Sequence, residues 1–156
     1  GIQHMILNGE DVTGQIRTAE IGQGASDVGV FIPVRDRLVK MQQEIAKKTS
    51  VVMDGRDIGT VVLPDAEVKV YLNADVEERA RRRLKEFAAQ GKTDTLEEVI
   101  RQIKARDYND TTRKYNPLKK AEDAVEIDTT GMSVDEVVKE VLDIVEFKTG
   151  EKLIWK

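Results

Sequence analysis

Asp54-Gly55-Arg56-Asp57 is a stretch whose residue types and order suit chemistry. It directly follows the apolar run Val51-Val52-Met53. In an open parallel sheet, ligands bind beyond the carboxyl ends of the strands. Gly55 and Gly59 permit turns and close approach of the backbone to a ligand. Arg56 offers a planar fork that suits a phosphate. Asp57 can orient that fork or help to hold a hydrated Mg²⁺. The plain structural alternative is a loop with an internal Arg–Asp pair, because Asp-Gly also marks ordinary turns. A phosphatase with an aspartate nucleophile matches less well. That chemistry wants a second Asp two residues on, where this chain has Arg56.

A second cluster runs from Arg106 to Arg113. Arg106, Asp110 and Arg113 are spaced four and three apart, so they share one face if the preceding helix continues through them. An Asp between two Arg can hold a sugar hydroxyl while the guanidinium forks reach a phosphate or a base edge. The alternative is a solvated face of helical ion pairs, each contributing little. A third cluster, Glu77-Glu78-Arg79-Ala80-Arg81-Arg82-Arg83, is a basic patch that could clamp a polyphosphate. It also reads as a solvated helix whose arginines are offset by the preceding acids.

Composition narrows the chemistry further. The 156 residues contain no Cys and one His, His4, so thiolate chemistry, disulfides, multi-His zinc sites and a Ser-His-Asp triad in the body of the chain are excluded. Lack of Cys fits a reducing cytoplasm. Lys and Arg number 25 against 29 Asp and Glu, a net charge of −4, which argues against a broad basic face for DNA or RNA. Aromatic residues are 4% of the chain, too few for a row of base-stacking rings. No apolar run approaches the ~20 residues of a membrane helix. The sequence Gly-x-x-x-x-Gly-Lys-[Ser/Thr], which cradles nucleotide phosphates, occurs in no window of the 156 residues.

These clusters need a scaffold, and the chain spells one out. Met5-Ile6-Leu7 before Asn8-Gly9-Glu10-Asp11 predicts a short hairpin or strand pair. Residues 14–32 read as loop and short helix. Pro33 opens a helix whose Val34, Leu38, Met41 and Ile45 form one stripe, ending near Lys47 and Lys48. Strands are expected at Val51–Met53, Val68–Leu72 and Val125–Ile127. Asp75 can cap a helix over 76–90, with Val76, Ala80, Leu84 and Phe87 inward. Thr95 with Glu98, and Ser133 with Glu136, have the spacing of capping boxes for two further helices. Strands alternating with helices argue for an α/β fold with a parallel sheet.

Taken together, the segments resemble the bacterial cytidylate kinases, nucleoside monophosphate kinases. The likeness runs through Leu7-Asn8-Gly9-Glu10-Asp11-Val12-Thr13, Ile16-Arg17-Thr18, Ser26, Pro33-Val34-Arg35 and Val52-Met53-Asp54-Gly55-Arg56-Asp57-Ile58-Gly59-Thr60. It continues through Pro64-Asp65-Ala66, Glu78 to Arg83, Arg106 to Arg113, Pro117-Leu118 and Ile127-Asp128-Thr129-Thr130. The resemblance implies a P-loop NTPase-like three-layer α/β fold with a monophosphate-binding insertion and a lid. Residues 1–32 would belong to the CMP-binding insertion, and 33–156 to the core with a lid segment around 79–113. The implied reaction is transfer from ATP, with Mg²⁺, to CMP or dCMP, giving ADP and CDP or dCDP, in the cytoplasm.

The resemblance also implies roles. Ser26, Arg35 and Arg113 match cytosine-reading positions, and Asp110 matches the ribose contact. Arg56 and Arg106 match contacts to the CMP phosphate, with Asp57 beside them. Arg79, Arg82 and Arg83 fall at the start of the lid over ATP. In the family, the phosphate-binding loop, a central strand and a helix precede the first matched segment. The sequence is therefore expected to be an N-terminally truncated polypeptide, inactive alone, with unpaired sheet edges through which it self-associates. A non-catalytic CMP-binding or scaffold fragment is the alternative.

Overall fold

A computed structural model describes residues 4–89, 91 and 93–152. They fall into two compact units, with the boundary between Val51 and Val52.

In the first unit, β1 (Ile6–Leu7) pairs antiparallel with β2 (Glu10–Asp11), Ile6 opposite Asp11 and Leu7 opposite Glu10. The two residues between them adopt positive φ, +52° at Asn8 and +88° at Gly9, which is the backbone a two-residue hairpin turn requires. Asp11 then accepts from the backbone and hydroxyl of Thr13, at 2.9 and 2.5 Å, and closes the exit of the hairpin. A short 3₁₀ turn at Gln15–Arg17 leads into α1 (Ala19–Val28). Residues 14–32 are thus more helical than their composition predicts. The Thr18 hydroxyl accepts from Ile21 N and supplies the start signal despite Gly22 and Gly24 inside the helix.

The next helix, α2 (Ile32–Ala46), has Pro33 in its first turn, where the missing N–H is no loss. Its apolar stripe is present, but none of its residues is buried, and Leu38, Met41 and Ile45 stay exposed.

The second unit holds a parallel pair, β3 (Val70–Asn73) with β4 (Val125–Asp128), Val70 opposite Val125 and Asn73 opposite Asp128. Parallel strands need a long crossover. Here α3 (Val76–Ala89) and α4 (Leu96–Thr112) supply it and pack on one another. Ala80 of α3 and Val99 of α4 are fully buried, and Val62, Ala74 and Ile127 complete the small core of the described residues. The Asp75 carboxylate accepts from Glu77 N at 2.7 Å, which caps α3 as its sequence predicts. Position 90, the expected end of that helix, lies outside the described residues. Both capping boxes form: Thr95 with Glu98 on α4, and Ser133 with Glu136 on α5 (Val134–Thr149). The last helix stops at Gly150, whose φ of +73° lets its N–H reach the Glu146 carbonyl.

One expected element is absent. Val51–Met53 is not a strand, and Val52 is fully exposed. A strand exists only through the ladder it shares, and no described segment pairs with this run. Its apolar character is therefore not converted into secondary structure.

Candidate functional site

The loop after Met53 runs without a break into a π-helical turn, Ile58–Val62. The Asp57 carbonyl anchors that turn, accepting from Val61 N at 2.9 Å and from Val62 N at 3.4 Å. Turns of this type concentrate at functional sites. Gly55 has no room for a side chain of its own: a Cβ there would sit 2.9 Å from Ile58 Cγ1. Folded this way, the loop buries the Asp57 side chain, 9% of the residue remaining exposed, and leaves Arg56 half-buried beside the last turns of α4.

Helix α4 delivers the partners. Arg56 Nη1 donates to Asp107 Oδ1 at 3.1 Å and lies 3.2 Å from Asp110 Oδ2. Arg79, from the first turn of α3, donates through Nη1 to the other oxygen of Asp107, Oδ2, at 2.7 Å. Its Nε donates to the Ala74 carbonyl at 3.1 Å, which fixes the guanidinium plane at the end of β3. Arg113, which terminates α4, is 3.7 Å from both Asp110 Oδ1 and Asp57 Oδ2. It is aimed by its Nε, which donates to the Asn116 carbonyl at 2.5 Å. Asn116 takes a left-handed φ of +49° to present that carbonyl. Arg106 is the outermost member, 3.8 Å from Asp110 Oδ2 and largely exposed.

Four guanidiniums, of Arg56, Arg79, Arg106 and Arg113, therefore meet three carboxylates, of Asp57, Asp107 and Asp110. The surplus is one positive charge in a chain whose net charge is −4. Such a pocket attracts an anion and offers guanidinium forks to bind it. Two groups point the same way. Asp110 Oδ2 is shielded from solvent yet receives no hydrogen bond, although Arg56 Nη1 lies 3.2 Å and Arg106 Nε 3.8 Å away. Arg56 bonds through Nη1 only, so its Nε–Nη2 edge carries no bond to a described residue.

Asp107 is the electrostatic centre. Burial alone would raise its pKa, but hydrogen bonds and charge from Arg79 and Arg56 outweigh burial and hold the carboxyl below its ordinary value.

The family model described as Cytidylate kinase matches residues 1–147. The chain belongs to the cytidylate kinase family. It is 52% identical to a cytidylate kinase of Leuconostoc mesenteroides, over 93% of this chain and 65% of that protein. Against one of Caldicellulosiruptor bescii it is 51% identical, over 92% of this chain and 64% of the relative. A third, from Thermosipho melanesiensis, is 51% identical over 93% of this chain and 67% of its own length. The chain thus spans about 65% of the length of the first of these curated relatives. Membership carries the P-loop NTPase-like α/β fold, of which the described residues form helices and a small parallel sheet.

Six of the positions singled out from the cytidylate kinase resemblance come together in the second unit: Arg56, Asp57, Arg79, Arg106, Asp110 and Arg113. Arg82 and Arg83 bond elsewhere. Arg82 donates to Glu78 at 2.9 Å, to Thr129 Oγ1 at 3.1 Å and to the Thr129 carbonyl at 2.5 Å. Arg83 lies over the Phe87 ring, 5.0 Å from its centroid. Ser26 and Arg35 lie in the first unit, on α1 and α2, and the Ser26 side chain falls outside the described set. Asp107 was legible only as part of a matching string. Its sequence position, three residues before Asp110, is the signal that places both carboxylates toward the loop.

Proposed function

We propose that this polypeptide serves phosphoryl transfer from ATP to CMP or dCMP, giving ADP and CDP or dCDP. The observation that carries the reading is the arginine-rich cluster at the end of α4 in a member of the cytidylate kinase family. The relatives are named cytidylate kinases, and the activity that name denotes is the one proposed for this chain.

Arg56 and Arg106 take the acceptor phosphate, Asp110 the ribose, and Arg113 with Ser26 and Arg35 the cytosine. A ribose hydroxyl supplies the hydrogen that Asp110 Oδ2 lacks. Asp57 sits beside the phosphate and holds Arg113 in place. Arg79, Arg82 and Arg83 serve the ATP side, within a lid over about 79–113, and residues 1–32 belong to the CMP-binding insertion. An oxygen of the CMP phosphate attacks the γ-phosphorus of ATP as the bond to the β-phosphate oxygen breaks, and ADP leaves. That oxygen is already a competent nucleophile near neutral pH, so no general base is required. The protein contributes positioning and charge neutralisation. Mg²⁺ enters with ATP as part of the substrate, bound mainly through phosphates and water. Among the described residues no group of three or more carboxylates or imidazoles is arranged to hold an ion. No described helix is long and apolar enough to cross a membrane, and cytoplasmic residence is part of the proposal.

Calorimetry tests the acceptor site. The chain should bind CMP in preference to AMP, and Arg113→Ala should abolish the preference. Equal affinities for CMP and AMP would contradict the reading and favour a scaffold role. A second arm concerns transfer. No window of the 156 residues matches the Gly-rich phosphate cradle, so the chain alone should bind CMP without turning it over. Turnover that survives repurification and is lost in Arg56→Ala would overturn that expectation.

A further inference from the structure

We infer that Asp107 is a positioning residue that ties Arg56 to Arg79 and so keeps Arg56 aimed at the acceptor phosphate. The inference deepens the proposed function and rests on its assignment of Arg56 to the acceptor phosphate.

Three elements meet on one carboxylate. Arg56 arrives from the loop before the π-helical turn, Arg79 from α3, and Asp107 from α4. The sequence separations from Asp107 are 51 and 28 residues, so only the tertiary fold makes this junction. Each carboxylate oxygen takes one guanidinium: Oδ1 takes Arg56 Nη1 at 3.1 Å, and Oδ2 takes Arg79 Nη1 at 2.7 Å. Two like charges are thereby held close together, an arrangement that costs energy without an anion between them. Asp107 supplies that anion permanently.

The bonding leaves the other side of each arginine for a ligand. Arg56 keeps its Nε–Nη2 edge clear of described residues. Arg79 places Nε on the Ala74 carbonyl and Nη1 on Asp107, which leaves Nη2 as the donor without a described partner. Both arginine side chains are about one-third exposed, so a solvent-borne anion can reach them. The acceptor phosphate can engage the Arg56 edge bidentately, while Arg79 Nη2 faces no described acceptor and stays with the donor side. Because Arg79 opens α3, Asp107 also links the acceptor-side arginine to the segment that the family reading assigns to the lid. The link joins the two sides of the transfer through a single side chain.

The test compares CMP, cytidine and pyrophosphate as probes of wild type, Asp107→Asn and Asp107→Glu, with circular dichroism confirming that each variant folds. Asp107→Asn keeps the shape and removes the charge. It should weaken CMP about tenfold while moving cytidine less than about twofold. Asp107→Glu should recover most of the loss. A double-mutant cycle with Arg79→Gln should be strongly non-additive, since each change breaks the same link. Equal losses for CMP and cytidine, or no loss for CMP, would overturn the assignment. So would an additive cycle. If wild type binds CMP no better than cytidine, the acceptor-phosphate reading itself fails, and pyrophosphate decides Asp107: a loss of about fivefold or more in Asp107→Asn upholds it, and an unchanged affinity overturns it. Should Asp107→Asn not fold, the same comparisons on Asp107→Glu and Arg79→Gln carry the decision through their CMP-to-cytidine split.

Discussion

Burial and ion pairing act in opposite directions on Asp107. Burial disfavours its charged form, while Arg79 and Arg56 favour it, and the net pKa lies below the ordinary carboxylate value. The native state therefore binds this proton less readily than the unfolded chain does. The stability it contributes is present above about pH 4, near the unfolded value, and is lost as pH falls through the lower native one. Urea unfolding at a series of pH values should show a midpoint that drops on the acid side. In Asp107→Asn that drop should be shallower, because one of the carboxylates that must be protonated is gone. An identical acid profile in the variant would show that Asp107 contributes nothing to the pH dependence. Other carboxylates with lowered pKa values, such as Glu98 and Glu136 in their capping boxes, contribute to the remaining slope.

The elements owe their positions to a few polar junctions as much as to apolar burial. Thr129, just after β4, is buried and closes the open end of the parallel pair. Its hydroxyl donates to the Asn73 carbonyl at 2.9 Å and accepts from Arg82 at 3.1 Å. Its N–H also donates to Asn73, at 2.8 Å. Arg82 thus pins α3 to the end of the sheet from which the Arg79 side chain is also held. Thr129→Val keeps the shape and removes the hydroxyl, leaving Arg82 Nη1 without that acceptor. A loss of about 1–3 kcal/mol in unfolding free energy is expected. An unchanged urea midpoint would show that the junction is dispensable.

For the whole molecule, apolar surface remains uncovered. β3 and β4 each have one outer edge without a partner among the described residues. Leu72 on β3 is more than half exposed, and Phe147 and Val134 on α5 more so. Unpaired strand edges are templates for pairing with another chain, and exposed apolar groups favour association. The 156-residue chain should therefore self-associate, and its sedimentation coefficient should rise with concentration across the micromolar range. A concentration-independent monomer would count against pairing through these edges.

Local signals are legible in the sequence. The Asn8-Gly9 turn, Pro33, Asp75, Thr95 with Glu98, and Ser133 with Glu136 each act over a few residues, and each forms the predicted turn, helix start or cap. The spacing of Arg106, Asp110 and Arg113 belongs to the same class, since a helix fixes it. Pairing and burial could not be read in this way. Val51–Met53 has a strand's composition but no described partner, and the α2 stripe has a core's periodicity but no cover within its own unit. Nor does a run of arginines state which member turns where. Arg79 goes to Asp107, Arg82 to Thr129 and Arg83 to Phe87. Sequence alone determined the capped helices, the Asn8-Gly9 turn and the family, because those depend on neighbours along the chain. Only the tertiary structure decided that Asp107 joins Arg56 to Arg79, because that bond depends on neighbours in space.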